Sequence, residues 1–176
     1  GYAMMQRHLA TDWMAKLREL PPGRYPAELN LQDWRGVYHL IILPFYAEPY
    51  EVMRDSLRAI AASSYPKDRM LIVLGIEARA GAAARATAEQ LKAEFGTVFA
   101  EFLIAVHPAN VPGELAGKGS NETHAARLAR REIIDRAGIP HERVIVSSFD
   151  GDTVTLPGYF AILTYHYLTA GKPLRS

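Results

Sequence analysis

The sequence predicts an α/β fold in which a parallel sheet carries helices on both faces. Four apolar, β-branched runs suited to strands alternate with segments that repeat apolar residues at helical spacing. Strands that alternate with helices form parallel sheets with right-handed crossovers. The 176 residues, 49% of them hydrophobic, suffice for one domain with a sizeable core and exclude a disordered chain.

Residues 1–36 differ from the rest of the chain, and we expect a leading helix followed by a loop that wraps the domain. A weak helical stripe ends at the Pro-Pro-Gly turn that starts at Pro21. The stripe consists of Met5, Leu9, Met14 and Leu17. Trp13 and Trp34 are expected to pack on the body of the domain rather than bind a ligand.

The alternation of patterns from residue 37 onward defines the elements of the sheet. The predicted strands are residues 37–45, 70–77, 99–107 and 144–149. The predicted helices cover residues 53–61, 82–95, 120–137 and 160–168. We expect the first strand to lie between the second and the fourth, because a ligand crevice forms where the strand order reverses.

One uncharged run, residues 153–171, approaches the length of a membrane span. It also contains Pro157, Gly158, His166, four threonines and three tyrosines. We therefore expect a buried or half-buried helix there. The net charge of +1 gives no strong field for nucleic acid or anionic lipid, so no nucleic-acid partner is expected. Cysteine is absent, which excludes thiolate metal sites and fits a reducing compartment.

Two carboxylates, Asp150 and Asp152, follow the last predicted strand, which reads as a buried strand. On a turn, both can face Mg²⁺ or Mn²⁺ and leave positions open for phosphate oxygens. Gly151 is expected to let the backbone bend so that the two side chains converge. The alternative is an ordinary Asp-Gly turn.

Other polar residues are predicted to share this edge of the sheet. Glu48 follows the first strand, and Glu77 ends the second, where it is a candidate acceptor for a base N–H. Lys118 lies in a glycine-bordered loop before a helix, so its ammonium and the helix N-terminus could both face phosphate; the alternative is a solvated loop lysine. Asn121 either caps that helix or binds the ligand. His107 is expected to be structural.

The common phosphate-binding motifs are absent from the sequence. No Gly-x-Gly-x-x-Gly follows the first strand, and no Walker-type Gly-Lys-Ser/Thr motif occurs in its proper context. This absence counts against a dehydrogenase and a P-loop ATPase.

Four segments resemble, in the right order, motifs of the family 2 glycosyltransferases. Residues 41–49 are similar to the family's opening strand and turn, with Ala47 in place of the usual Asn. Residues 71–77 look like its second strand, whose terminal acid contacts the base, although Glu77 replaces the usual Asp. Residues 117–121 resemble its Lys-x-x-Asn segment, and residues 149–153 match its Asp-x-Asp element.

The resemblance implies the Rossmann-like GT-A fold and inverting transfer from a UDP- or GDP-sugar to a glycan or lipid acceptor. Asp150 and Asp152 would bind Mg²⁺ or Mn²⁺. The nucleotide-sugar-binding residues it implies are Pro44, Tyr46, Glu48, Glu77, Lys118, Asn121 and Asp150.

The family's general base follows the Asp-x-Asp element at some distance, and residues 153–176 contain no Asp or Glu. We therefore expect the base beyond Ser176, and we expect residues 37–176 to be the donor-binding half of a longer domain, inactive by itself. The resemblance places the parent protein in the cytoplasm, at the cytoplasmic face of a membrane that it contacts through parts outside this chain.

Two alternatives stay open at this point. One is a nucleotidyltransferase that makes sugar nucleotides. That class needs a glycine-rich loop with Arg and Lys after the first strand, where this chain has Tyr-Ala-Glu-Pro at residues 46–49. The other is a non-catalytic nucleotide-binding module.

Overall fold

The computed structural model describes residues 10–114 and 117–170 and, nearer the start, Ala3 and Gln6. The strands are β1 (Tyr38–Phe45), β2 (Met70–Glu77), β3 (Glu101–His107) and β4 (Val144–Ser148). The helices are α1 (Trp13–Glu19), α2 (Tyr50–Ala61), α3 (Gly81–Phe95), α4 (Lys118–Ala129) and α5 (Tyr159–Thr169).

The strands form one parallel sheet in the order β3-β2-β1-β4. At its centre, Ile42 of β1 pairs with Val73 of β2 on one side and with Ser148 of β4 on the other. The expected α/β fold and the expected place of β1 between β2 and β4 are both confirmed. The strand order reverses beside β1, so its carboxyl end is where a ligand crevice should form.

Apolar side chains cover both faces of the two central strands. On one face, β1 and β2 pack against α1, α2, α3 and α5, with Ile41 and Ile72 in the contact. On the other face, Leu40 and Val73 pack against α4. Strands buried on both faces read as continuous apolar runs, which explains the sequences of β1 and β2.

The segment before the sheet contains α1 and short 3₁₀ turns. Asp12 caps α1 through a carboxylate oxygen that accepts from the Ala15 N–H at 3.0 Å. Trp13 and Trp34 are buried, as expected. The predicted stripe is described only in part, because Met5 and Leu9 lie outside the described residues.

The helix before β4 differs from the prediction. It begins at Lys118, two residues earlier than expected, and continues through a π-helical turn at Arg130–Asp135. That turn rotates the buried face, so Ile134 is buried, whereas Ala137, which the sequence predicted on the buried face, is exposed.

Strand β4 is an edge strand, and the prediction that it is buried was wrong. Among the described residues it pairs only with β1. Its outer edge is therefore open to solvent, and Val146 is 57% exposed. Ile145 and Val144 pack on opposite faces of the sheet but are only partly buried, so the apolar composition reflects partial burial.

Helix α5 is half-buried, as expected for residues 153–171. Phe160, Thr164 and Leu168 form its buried side. In the ranges that the structure covers, no helix is both long and apolar enough to span a bilayer.

Candidate functional site

A cavity of about 200 Å³ opens at the carboxyl edge of the sheet, beside the point where the strand order reverses. The ends of β1 and β2, the turn after β4 and the start of α4 form its walls. All seven residues predicted to bind a nucleotide-sugar line it: Pro44, Tyr46, Glu48, Glu77, Lys118, Asn121 and Asp150. Phe45, Arg79 and Gly117 complete the lining.

The turn after β1 folds back on itself at the mouth of the cavity. A carboxylate oxygen of Glu48 accepts from the Tyr46 backbone N–H at 2.9 Å. The Tyr46 ring is 49% exposed, and the Arg79 guanidinium lies 5.5 Å from its centroid. This contact presents a cation and an aromatic face at the mouth, where a ligand could contact either.

Glu77 ends β2 and is almost completely buried. Its Oε2 accepts from Nδ1 of His107 at 2.9 Å. Its Oε1 is buried without a hydrogen-bond partner among the described residues. A buried, unpaired acceptor costs about 1–3 kcal/mol, so a ligand N–H would be stabilised here.

Asn121 lies inside the first turn of α4, so the interpretation as a plain helix cap was wrong. Its amide nitrogen donates to the Gly75 carbonyl oxygen of β2 at 2.9 Å. Its Oδ1 is a second buried acceptor without a partner in the described part of the chain. A Cβ at residue 75 would lie 3.1 Å from that oxygen, so glycine there leaves room for the amide.

Lys118 and Asp150 form an ion pair at the cavity, through direct contact of the ammonium with Oδ1 of the carboxylate. The hydrogen bond that Lys118 donates to Asp150 raises the pKa of Lys118, and the charges of Glu122 and Asp152 add to the effect. Lys118 is half-exposed but paired, unlike a freely solvated loop lysine. It is also the first residue of α4, where backbone N–H groups favour anions.

Asp150 and Asp152 lie in a tight turn fixed from two sides. The Thr153 N–H donates to the Asp150 carbonyl oxygen at 2.9 Å, which closes the turn. From α2, the Ser56 hydroxyl donates to the Gly151 carbonyl oxygen at 2.5 Å. Both aspartate side chains remain exposed to solvent.

Gly151 is needed for close packing rather than for a bend of the backbone, contrary to expectation. It is absent from the positive-φ residues of the described chain. A Cβ at this position would lie 2.5 Å from Sδ of Met53 and 3.4 Å from Cγ of Glu48. Glycine therefore lets the aspartate turn rest directly on α2 and on the turn after β1.

The two aspartates offer a partial site for a hard cation. Within residues 10–114 and 117–170, no three His, Asp or Glu side chains gather as a ready-made metal site. Mg²⁺ typically binds through one or two carboxylates plus substrate phosphates, and it keeps several waters. The exposed oxygens of Asp150 and Asp152, beside an open cavity, fit that kind of ion.

Sequence reasoning missed two features of this edge. Arg79 lines the cavity two residues after Glu77, at a position where the resemblance implies a Ser/Asp-rich turn. That departure was the available signal. The contact between His107 and Glu114 gave no signal, because Glu114 lies in an irregular loop whose path the sequence does not reveal.

Neither a family model nor a curated protein matches the chain. Among solved structures, it is similar to the mannosyltransferase PcManGT from Pyrobaculum calidifontis, determined in complex with GDP-Man and Mn²⁺. The TM-score is 0.53 at 19% sequence identity, over 94% of this chain and 38% of that one. The chain thus corresponds to 38% of the length of the protein it matches. This likeness shows the fold alone, a Rossmann-like α/β fold that the chain shares with the mannosyltransferase.

Proposed function

We propose that this chain is the donor-binding part of an inverting, family 2-like glycosyltransferase that takes a UDP- or GDP-sugar. The observation that supports this most is the convergence of the seven predicted residues on one cavity at the carboxyl edge of the sheet. The solved mannosyltransferase of similar fold, with GDP-Man and Mn²⁺, is consistent with that choice of ligand.

The base end of the donor is assigned to Glu77. Both uracil and guanine present an N–H on their pairing edge, and the bare Oε1 of Glu77 is a buried acceptor without a partner among the described residues. A site built to accept a hydrogen bond rejects ligands that lack the donor, because the acceptor then stays unpaired.

The diphosphate end is assigned to Lys118, the start of α4 and the aspartate turn. The Lys118 ammonium now contacts Asp150 and can turn to a phosphate oxygen when one arrives. Asp150 and Asp152 would hold Mn²⁺ or Mg²⁺. When bound, the cation neutralises the charge that develops on the leaving diphosphate.

Binding calorimetry tests this assignment with GDP and UDP, each with and without Mn²⁺. We expect the cation to strengthen nucleotide binding to the original chain, and we expect Asp152→Asn to remove that gain. Lys118→Gln should weaken binding of both nucleotides, because it removes a positive charge from the diphosphate. The matched control is Asp68→Asn, since Asp68 is an exposed, ion-paired aspartate outside the cavity lining.

Two results would contradict the proposal. One is the absence of binding of either nucleotide, with or without Mn²⁺. The other is a Mn²⁺-dependent gain in Asp152→Asn as large as that in Asp68→Asn. The second result would leave a nucleotide site but remove the aspartate turn from it.

A further inference from the structure

A second cavity, of about 280 Å³, adjoins the first at the carboxyl end of β3. Glu77 and Arg79 line both cavities, so they form the wall between them. His107 and Glu114 lie on the far side of that wall. A change in the charge or contacts of the residues in the second cavity therefore affects Glu77, the proposed base acceptor, directly.

His107 bridges two carboxylates across this wall. Its Nδ1 lies 2.9 Å from Oε2 of Glu77, and its Nε2 lies 2.6 Å from Oε2 of Glu114. Ionised carboxylates only accept hydrogen bonds, and a neutral imidazole has only one N–H to donate. Both contacts are satisfied together when the ring is an imidazolium that donates from both nitrogens.

The surroundings of His107 favour its charged form. Burial, the largest single influence, lowers the pKa of the ring, but the hydrogen bonds and charges of Glu77 and Glu114 together raise the pKa above its ordinary value. On the α4 side, the His124 ring lies 5.2 Å away, and its own pKa is lowered by burial and by the His107 charge. The His124 ring, whose charged form is disfavoured, therefore lies tilted by 45° against that of His107, and Arg79 lines the wall beside His107.

We propose that His107 is a positioning residue that holds the buried carboxylate of Glu77 turned so that Oε1 is free to accept from the base of a nucleotide. This inference rests on the proposed function. The imidazolium balances the charge of a carboxylate that is only 7% exposed. It also occupies Oε2, which leaves Oε1 as the oxygen without a partner in the described structure.

The bridge from His107 to the two carboxylates should make nucleotide binding depend on pH. When the pH rises through the titration of His107, the ring loses a proton and one of the two carboxylates loses its donor. The carboxylate of Glu77 is then held in one orientation for only part of the time, or not at all. Nucleotide affinity should therefore fall as the pH rises. Glu114→Gln removes one of the two charges that favour the imidazolium and should move this fall to lower pH.

The test compares His107→Gln with His141→Gln in calorimetry with Mn²⁺ and four nucleotides: GDP, UDP, 1-methyl-GDP and 3-methyl-UDP. The methylated bases lack the N–H that Glu77 would accept. His141 is a suitable control because its exposed ring also contacts a carboxylate, that of Asp135 at 2.5 Å, away from both cavities. We expect His107→Gln to weaken the better of GDP and UDP about tenfold and to leave its methylated analogue unchanged.

Equal loss for the natural and the methylated nucleotide would overturn the positioning role, and so would no loss for either. If His107→Gln does not fold, the pH profile of Glu114→Gln decides the matter, and a profile that coincides with the original would overturn the role. The failure of the proposed function is distinct, because the original chain would then bind none of the four nucleotides.

Discussion

The two ends of the sheet each bury a histidine, and the two histidines differ in almost every respect. His39 lies near the start of β1, and His107 is the last residue of β3. His39 is enclosed by the rings of Tyr65 and Phe160, at 4.7 and 5.2 Å, whereas His107 bridges two carboxylates. The end of the sheet at His39 is closely packed with aromatic rings, whereas the end at His107 carries charged side chains beside open cavities.

The surroundings of His39 favour a neutral ring that carries its proton on Nε2. Thr164 donates its hydroxyl proton to the Phe160 carbonyl oxygen at 2.8 Å, so it can only accept from Nε2 of His39, 2.7 Å away. The other ring nitrogen, Nδ1, is buried with no partner among the described residues. Burial lowers the pKa of His39 to about 3. Burial disfavours the charged ring at both sites, and only at His107 do facing carboxylates outweigh that effect.

The largest expected effect is acid destabilisation through His39. An unfolded histidine titrates near 6.5 and the folded one at about 3, so the unfolded state binds more protons below pH 6.5 and stability falls with the pH. This amounts to about 2.5 kcal/mol between pH 7 and pH 4.5. His39→Gln can still donate to Thr164 but does not titrate, so its free energy of unfolding, measured by urea denaturation, should fall less steeply.

His141→Gln serves as the control here too, because it makes the same substitution at an exposed ring. Slopes of equal steepness in His39→Gln and in the original chain would show that His39 is charged, or not buried, in the folded state. The contrast between the two ends of the sheet would then fail.

A similar or smaller effect is expected from adding a methyl group to the aspartate turn. Gly151→Ala forces its new methyl group against Met53 and Glu48, and overpacking of this kind costs about 1–3 kcal/mol. Met53→Val shortens the opposing side chain, so the double variant should be less destabilised than the sum of the single variants. Urea denaturation measures all three.

Gly23→Ala is the matched control, because a Cβ at that position meets nothing within 4 Å. Additive effects of the two substitutions at residues 151 and 53 would mean that the turn does not rest on Met53. The open end of the sheet would then be less tightly supported than the structure indicates.

The smallest expected effect concerns the titration of His107 itself. Its folded pKa is raised, so its contribution to stability is complete below pH 6.5 and is lost as the pH rises through the folded pKa. Glu114→Gln removes one acceptor charge and should lower that pKa, with little change in stability, since Glu114 is partly exposed. Proton NMR of the histidine rings measures the pKa of His107 in the original chain and in Glu114→Gln. An unchanged His107 titration would contradict the contact between His107 and Glu114.

The fold could be predicted because its strands and helices have local sequence patterns of apolar residues. The buried strands β1 and β2 read as continuous apolar runs, and the helices between them read from their spacing. The exposure of Val146 could not be predicted, since an edge strand and a central strand share the same composition. The π-helical turn that continues α4 at Arg130–Asp135 could not be predicted either, because a periodic pattern does not reveal one inserted residue.

The polar edge of the site could be predicted in part, since the carboxyl ends of parallel strands must meet. That rule alone brought Glu48, Glu77 and Asp150 together. The loop after β3 obeys no such rule, so the second partner of His107, Glu114, stayed hidden. The role of Gly151 was also misread, because close packing against Met53 depends on contacts far apart in the chain.

We propose that the carboxyl edge of the sheet binds a metal and a nucleoside diphosphate together, while the opposite end is purely structural. Paramagnetic Mn²⁺ broadens the NMR signals of nearby nuclei, so the broadened signals show where the ion binds. With GDP or UDP present, we predict broadening of the amide signals of Asp150, Asp152 and Lys118, and sharp signals for His39 and Thr164. Equal broadening at both ends, or broadening that ignores the nucleotide, would contradict the account.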